Sequence, residues 1–146
     1  SHRLAERVAT FSHERPDADI PAWQIGSATP SDEAVMIGHN WNEVRTCMWD
    51  YVGIVRSNKR LERAMRRIRN LRQEIRQYYF ESLVTSDILE LRNIAAAGEL
   101  IIRSAIMRRE SRGLHYTLDY PEKAGTPPRN TIICDPPGEC LPDETE

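Results

Sequence analysis

The strongest constraint on the fold is an apolar stripe that repeats every three or four residues through the middle of the chain. It lies within residues 59–80, and its members are Leu61, Ala64, Met65, Ile68, Leu71, Ile75 and Tyr78. This spacing is close to a heptad and predicts one amphipathic helix, about 33 Å long. Ser57 or Asn58 can cap its first free amides. Such a helix has to bury its stripe against other helices.

Two further helices are predicted, one on each side of this segment. The first begins between Gly38 and Trp41, and its stripe is Trp41, Val44, Met48, Val52 and Val55. The third begins at Ser86 as cap, with Asp87 and Glu90 near the positive end of the helix dipole. Its stripe is Ile88, Leu91, Ala95, Gly98, Ile102, Ala105 and Ile106. Three helices with short connections predict an all-α fold, an antiparallel three-helix bundle.

Gly98 is an unusual residue for the middle of a helix. A mid-helix glycine costs about 1 kcal/mol relative to alanine. We expect another helix to cross closely at this position and to offset that cost.

The third helix is predicted to end at Gly113, which we expect in the left-handed conformation that terminates helices. Three arginines precede it and suit the negative end of the dipole, namely Arg108, Arg109 and Arg112. Leu114, Tyr116 and Leu118 then alternate with His115, Thr117 and Asp119, which is the period of a strand. No second strand is evident. The segment is therefore predicted as an extended C-terminal arm across the bundle or a neighbouring domain.

The remaining segments are predicted to lie outside the bundle, which is assigned to residues 39–122. Residues 1–15 read as a separate amphipathic helix that nothing in this chain covers, and residues 16–38 read as a proline-containing linker. The tail, residues 123–146, is rich in proline and acidic residues, and we expect disorder there. The chain starts inside the first helix without a methionine, which suggests a piece of a longer protein.

No catalytic, cofactor-binding or metal-binding residue is predicted within the chain. The four histidines have no paired spacing that suits a metal, and no glycine-rich phosphate-binding motif is present. Three cysteines, an odd number, suit a reducing compartment. No apolar run reaches the roughly 20 residues that span a bilayer. These features predict a cytoplasmic protein that does not enter a membrane.

A basic run is the second candidate for function, although the chain as a whole has a formal net charge of −2. Its members are Arg56, Lys59, Arg60, Arg63, Arg66, Arg67, Arg69, Arg72 and Arg76. They surround the helix instead of forming one stripe, and no aromatic residues interleave with them, which disfavours nucleic-acid binding. A solvated or docking face is the preferred interpretation. An independent module that binds nucleic acid or an acidic partner is the alternative.

Four segments resemble, in order and spacing, the C-terminal helical domain of the L-aspartate oxidases, a family of the succinate dehydrogenase and fumarate reductase flavoprotein superfamily. They are residues 48–56, 59–64, 89–93 and 110–121, the last of which reads Glu-Ser-Arg-Gly-Leu-His-Tyr-Thr-Leu-Asp-Tyr-Pro. Succinate dehydrogenases and fumarate reductases typically have Glu-Ser-Arg-Gly-Ala-His instead. Tyr51, Leu114 and Thr117 therefore favour the aspartate oxidases, and the other flavoproteins remain the alternative.

The resemblance implies a parent enzyme that uses FAD to oxidise L-aspartate to iminoaspartate in NAD biosynthesis. Its flavin-binding and catalytic residues would lie upstream of this chain, and residues 1–15 would be the last helix of the flavin domain. The bundle would be a non-catalytic domain that docks on the flavin domain of the same polypeptide. It would not bind nucleic acid. The docking candidates are Arg112, Gly113, His115 and Asp119. A homo-oligomer contact through the Arg-rich helix is also an option.

Overall fold

A computed structural model describes residues 21–22, 24–30, 34–125 and 127–133. In chain order the elements are α1 (Ala34–Val52), β1 (Val55–Arg56), α2 (Asn58–Glu81), α3 (Ser86–Met107) and β2 (Tyr116–Thr117). Each helix packs on the other two. The predicted all-α bundle is thereby confirmed, while the helix assigned to residues 1–15 and the end of the tail lie outside the described residues.

The core is built mainly from the predicted stripes of α2 and α3, whereas the predicted α1 stripe is wrong at Val55, which is exposed and lies in β1. α2 contributes Leu61, Ala64, Met65, Ile68, Leu71 and Ile75, and α3 contributes Ile88, Leu91, Ala95, Gly98, Ile102 and Ala105. Val44, Cys47 and Val52 of α1 complete it. Between α2 and α3, Arg72 forms an ion pair with Glu99, and the Arg92 guanidinium lies 4.9 Å from the centre of the Tyr79 ring. Arg72 precedes Tyr79 along α2, whereas their partners occur in the reverse order along α3, with Arg92 before Glu99. None of the described helices is long and apolar enough to cross a membrane.

The helix boundaries confirm one predicted cap and correct another. The Ser57 hydroxyl accepts a hydrogen bond from the Arg60 amide at 3.4 Å, as expected for the cap of α2. The predicted Ser86 cap of α3 is wrong, because the cap is Thr85, whose hydroxyl accepts from the Ile88 amide. α1 begins at Ala34, inside the predicted linker.

Gly98 lies at a close helix crossing, as its position in the stripe predicted. A Cβ atom placed on Gly98 would lie 3.3 Å from Sδ of Met48 in α1 and 3.9 Å from Cδ1 of Ile68 in α2. A side chain at this position would press on the end of Met48, which would have to shift. The glycine therefore allows all three helices to meet at one level of the bundle.

A two-stranded parallel sheet joins the end of α1 to the segment after α3. Val55 pairs with Tyr116, and Arg56 pairs with Thr117. The Leu118 amide donates to the Arg56 carbonyl at 2.9 Å. The extended arm therefore has a partner strand, which the sequence did not reveal because Val55 also fits the helical spacing of α1.

Candidate docking site in the loop after α3

The loop of residues 108–125 starts earlier than predicted. α3 ends one residue before Arg108, whose backbone is already extended at φ −84° and ψ 93°. Gly113 is left-handed at φ 59° as predicted, but it lies in a tight turn and does not terminate the helix. Across this turn the Arg112 amide donates to the His115 carbonyl at 2.8 Å, and the reverse hydrogen bond is 3.1 Å long. Glycine suits this turn because the left-handed conformation is costly for other residues.

The Glu110 carboxylate contacts three other residues of the loop, and only 8% of its side chain is exposed. One carboxylate oxygen lies 2.9 Å from Nη2 of Arg108. The other accepts hydrogen bonds from Nε of Arg112 at 2.8 Å and from the Ala124 amide at 3.0 Å. Hydrogen bonds that involve charged groups are stronger than those between neutral groups. Glu110 thus connects the end of α3, the turn and the segment that follows the turn.

These contacts set the ionisation of Glu110. Burial by itself would raise the pKa of Glu110, because it disfavours the charged form. The hydrogen bonds from Arg112 and Ala124, together with the positive charges of Arg112 and Arg108, outweigh burial and lower the pKa of Glu110 below its ordinary value. The carboxylate is therefore ionised at neutral pH.

The Arg112 side chain is directed into its own loop. Besides its contact with Glu110, its Nη2 donates to the carbonyls of Ala124 at 3.2 Å and Gly125 at 2.8 Å. The first residues of the predicted tail are therefore attached to the bundle. Further along, the Arg108 guanidinium donates to the Thr131 hydroxyl at 3.0 Å, which extends the attachment.

The buried Ser111 hydroxyl closes the loop from the inside. The hydroxyl oxygen accepts a hydrogen bond from the Thr117 amide at 3.0 Å, and the hydroxyl group donates one to the Tyr120 carbonyl at 2.8 Å. The Ser111 amide donates to the Glu122 carbonyl at 3.0 Å. One small side chain therefore provides partners for the buried amide of Thr117 and the partly buried carbonyl of Tyr120.

His115 connects the loop to β1, and its hydrogen bonds require the tautomer that is protonated on Nε2. Nη1 of Arg56 lies 2.7 Å from Nδ1 of His115, and because a guanidinium can only donate, Nδ1 must accept. The proton is then on Nε2, which donates to the Arg108 carbonyl at 3.1 Å. Nε of Arg56 donates in turn to the Gly53 carbonyl, just after α1. His115 and Arg56 thus link the ends of α1 and α3.

The ring of His115 is neutral in this arrangement. Burial is the largest cause that lowers the pKa of His115. The hydrogen bond to the Arg108 carbonyl acts in the opposite direction, and the charges of Arg56 and Arg108 lower the pKa further. A protonated ring would place an N–H group against the Arg56 guanidinium, which agrees with the direction of the shift.

Asp119 connects the loop to the start of α2. One of its carboxylate oxygens accepts a hydrogen bond from the Asn58 amide at 2.7 Å. Asn58 is the first residue of α2, where free amides and the positive end of the dipole favour a negative charge. A residue 61 positions away in sequence therefore caps this helix together with Ser57.

The structure brings the four predicted docking residues into one loop but gives their side chains contacts within the chain. Arg112 binds Glu110, His115 binds Arg56, Asp119 binds Asn58, and Gly113 forms the turn. Sequence reasoning missed the roles of Glu110, Ser111 and Arg56. The only available signal for the first two was their place in the segment that carries the resemblance.

Several apolar side chains of the loop and of its partner strand are exposed. Leu114 is 83% exposed, Leu118 is 59% exposed, and Tyr116 and its strand partner Val55 are also exposed. Thr117, the next residue of β2, is buried on the opposite side. We call these four residues, Val55, Leu114, Tyr116 and Leu118, the loop face. Within the described part of the chain, no group of three or more His, Cys, Asp and Glu side chains could hold a metal ion.

Residues 41–131 match the family model described as the fumarate reductase flavoprotein C-terminus, which covers more than half of the chain. The chain belongs to this flavoprotein family. The match includes all three helices except the first residues of α1, and it includes the whole loop with its sheet.

Curated relatives of this family member confirm the resemblance to the L-aspartate oxidases. The L-aspartate oxidase of Pseudomonas aeruginosa is 56% identical over 117 residues, which cover 80% of this chain and 22% of that protein. The L-aspartate oxidase of Vibrio cholerae is 57% identical over 116 residues, which cover 80% of this chain and 22% of that protein. L-aspartate oxidase 2-b, chloroplastic, of Nicotiana tabacum is 43% identical over 96 residues, 62% of this chain and 15% of that protein. The chain spans about a fifth of the length of the first two.

A solved structure shares the fold of this flavoprotein family member. Mycobacterium smegmatis Sdh1, in complex with UQ1, aligns with a TM-score of 0.51 at 20% sequence identity. The alignment covers 86% of this chain and 20% of the other chain. At this identity the likeness concerns the fold alone.

The lowered pKa values of His115 and Glu110 predict how the free energy of unfolding depends on pH. Because the pKa of His115 is lowered in the folded state, the unfolded chain binds a proton first as pH falls below about 6.5. Folding stability should therefore decrease below that pH, and again below about 4.3, where the lowered pKa of Glu110 has the same effect. Urea unfolding from pH 8 to pH 3 measures both steps.

The matched variant for the upper step is His115→Gln, which keeps one acceptor and one donor but has no titrating ring. It should remove the decrease that begins near pH 6.5 and leave the one that begins near pH 4.3. An upper step of unchanged size in this variant would show that another group causes it.

Proposed function

We propose that this chain is the C-terminal helical domain of an L-aspartate oxidase. The observation that carries the proposal is the 56% identity to the Pseudomonas aeruginosa enzyme over 80% of the chain. The whole protein would use FAD to oxidise L-aspartate to iminoaspartate in the cytoplasm, as the first step of NAD biosynthesis. The FAD site and the catalytic residues would lie on the part of the polypeptide outside this chain.

The alternative within the superfamily, a succinate dehydrogenase or fumarate reductase flavoprotein, has weaker support. The bacterial relatives named L-aspartate oxidase are 53–57% identical to this chain over at least 70% of its length. The identities therefore favour the aspartate oxidases.

The loop face is the proposed contact with the flavin-binding domain. Exposed apolar side chains that lie together on one surface commonly mark a protein contact. In the loop face, Val55 and Tyr116 are paired residues of neighbouring strands, and Leu114 and Leu118 lie two residues before and after Tyr116. Burial of a leucine contributes about 1.5–3 kcal/mol, so a partner that covers this face gains appreciable free energy.

The polar residues of the loop would act by positioning the loop face. Glu110 and Arg112 hold the turn, His115 fixes it to Arg56, and Asp119 fixes it to α2. A surface that is already ordered costs less to bind than one that must be ordered on contact. Arg112, Gly113, His115 and Asp119 are therefore proposed as docking residues that act through the loop and not as catalytic residues.

The test uses the full-length polypeptide that carries this chain. Without oxygen, L-aspartate should bleach the bound flavin, and succinate should not. The double variant Leu114→Asp/Leu118→Asp should release its flavin at a temperature several degrees lower, because two apolar contacts are replaced by charges. Flavin fluorescence during a thermal ramp measures this temperature.

The matched control is Val35→Asp, which also places a charge on an exposed apolar residue, near the start of α1. It should leave the release temperature unchanged. Bleaching by succinate but not by L-aspartate would reject the proposed substrate. Equal release temperatures in the double variant, the control and the parent protein would reject the loop face as the contact.

A further inference from the structure

A basic groove of about 530 Å³ lies between α2 and α3, away from the loop. This volume is within the range of small-molecule sites. The residues that matter here are Arg69, Arg72, Arg76, Arg92, Tyr79 and Phe80. Five of them lie on α2 between Arg69 and Phe80, and Arg92 lies on the first half of α3.

The groove has an excess of positive charge. Four guanidinium groups line it with a single carboxylate, Glu99, which forms an ion pair with Arg72. Among the residues that the structure describes, Arg69, Arg76 and Arg92 have no carboxylate within ion-pair distance. Unneutralised arginines in a concave surface attract anions, and the guanidinium matches phosphate oxygens in pairs.

Two aromatic rings lie beside these arginines. Tyr79 and Phe80 contact each other edge to face, with ring centres 5.3 Å apart. The Arg76 guanidinium lies 5.9 Å from the Phe80 ring centre, and Phe80 is 69% exposed. An exposed ring next to cations provides a stacking surface for a planar heterocycle, and proteins use this combination to hold bases near phosphates.

We propose that this groove binds a nucleoside diphosphate, with the base stacked on Phe80 and the phosphates bound by Arg69, Arg76 and Arg92. The nucleoside part of the proposal depends on the rings, because the arginines alone would accept any small polyanion. The proposal does not rest on the proposed oxidase function, since the groove and the loop face share no residue.

The test is a calorimetric titration in which ADP is added to the natural polypeptide that carries this chain. Any tightly held cofactor is left in place. ADP should bind at low salt and more weakly as salt rises. The variant Arg76→Ala/Arg92→Ala should bind ADP about tenfold more weakly or worse, because two phosphate contacts are lost. The variant Phe80→Leu keeps an apolar side chain but has no aromatic face for stacking. It should also weaken ADP binding about tenfold.

Two controls separate the groove from general basicity. Arg60→Ala/Arg66→Ala removes two exposed arginines of α2 outside the groove and should leave ADP binding unchanged. Inorganic pyrophosphate, which has no ring, should bind about tenfold more weakly than ADP. Absence of ADP binding, equal loss in the two double variants, or pyrophosphate affinity equal to that of ADP would overturn the proposal.

Discussion

Gly98→Leu should lower the free energy of unfolding by about 2 kcal/mol and the melting temperature by about 10 °C. The reason is the crossing of three helices at this residue. A Cβ atom would already lie 3.3 Å from Sδ of Met48 and 3.9 Å from Cδ1 of Ile68, so the three further carbon atoms of a leucine would crowd this crossing. The better helix propensity of leucine returns less than about 1 kcal/mol. Thermal unfolding followed by circular dichroism measures the change.

Gly98→Ala is the matched control for the size of the side chain. Its Cβ contacts only the end of Met48, which is a flexible side chain, and alanine is the better helix former by about 1 kcal/mol. The alanine variant should therefore melt within a few degrees of the parent protein. If the leucine variant melts like the alanine variant, the close crossing is wrong.

Ser111→Ala should lower the free energy of unfolding by about 1–3 kcal/mol. The serine hydroxyl accepts from the Thr117 amide and donates to the Tyr120 carbonyl, and the residue is buried. Alanine would leave both backbone groups without these partners. The proposed contact between the loop face and the flavin-binding domain further predicts that this variant lowers the temperature of flavin release in the full-length protein. Urea unfolding measures the first effect and flavin fluorescence measures the second.

Thr117→Val is the matched control for the loss of a buried hydroxyl in this loop. The Thr117 hydroxyl is buried and has no hydrogen-bond partner within the described part of the chain. Valine has nearly the same shape, so its stability should equal or exceed that of the parent protein. A loss in Thr117→Val as large as in Ser111→Ala would show that the hydrogen bonds of Ser111 are not the cause.

The helices could be predicted from the sequence because their signals are local. The stripe from Leu61 to Ile75 and the stripe from Ile88 to Ala105 are buried as expected, and Ser57 caps α2. Gly98 indicated a helix crossing because a mid-helix glycine has a known cost. The prediction for the cap of α3 is wrong by one residue, since Thr85 and Ser86 both have a hydroxyl that can cap a helix and serine is the more common cap.

The basic run shows what periodicity cannot reveal. No aromatic residue interleaves with the arginines in sequence, yet Tyr51 of α1 lies 5.8 Å from the Arg63 guanidinium and 5.3 Å from that of Arg67. On the other side of α2, Arg92 of α3 covers Tyr79. These pairs form only when three helices come together, so they depend on packing and not on spacing along one helix.

Local patterns in the sequence are sufficient to predict a helical bundle with a specific segment after the third helix, and the resemblance of that segment indicated the family. The contacts that this segment makes are visible in the tertiary structure alone. Asp119 caps a helix that starts 61 residues earlier, and His115 reaches back to Arg56. Such long-range hydrogen bonds leave no periodic pattern. They engage the polar side chains of the loop in contacts within the chain, whereas Leu114 and Leu118 of the loop face stay exposed.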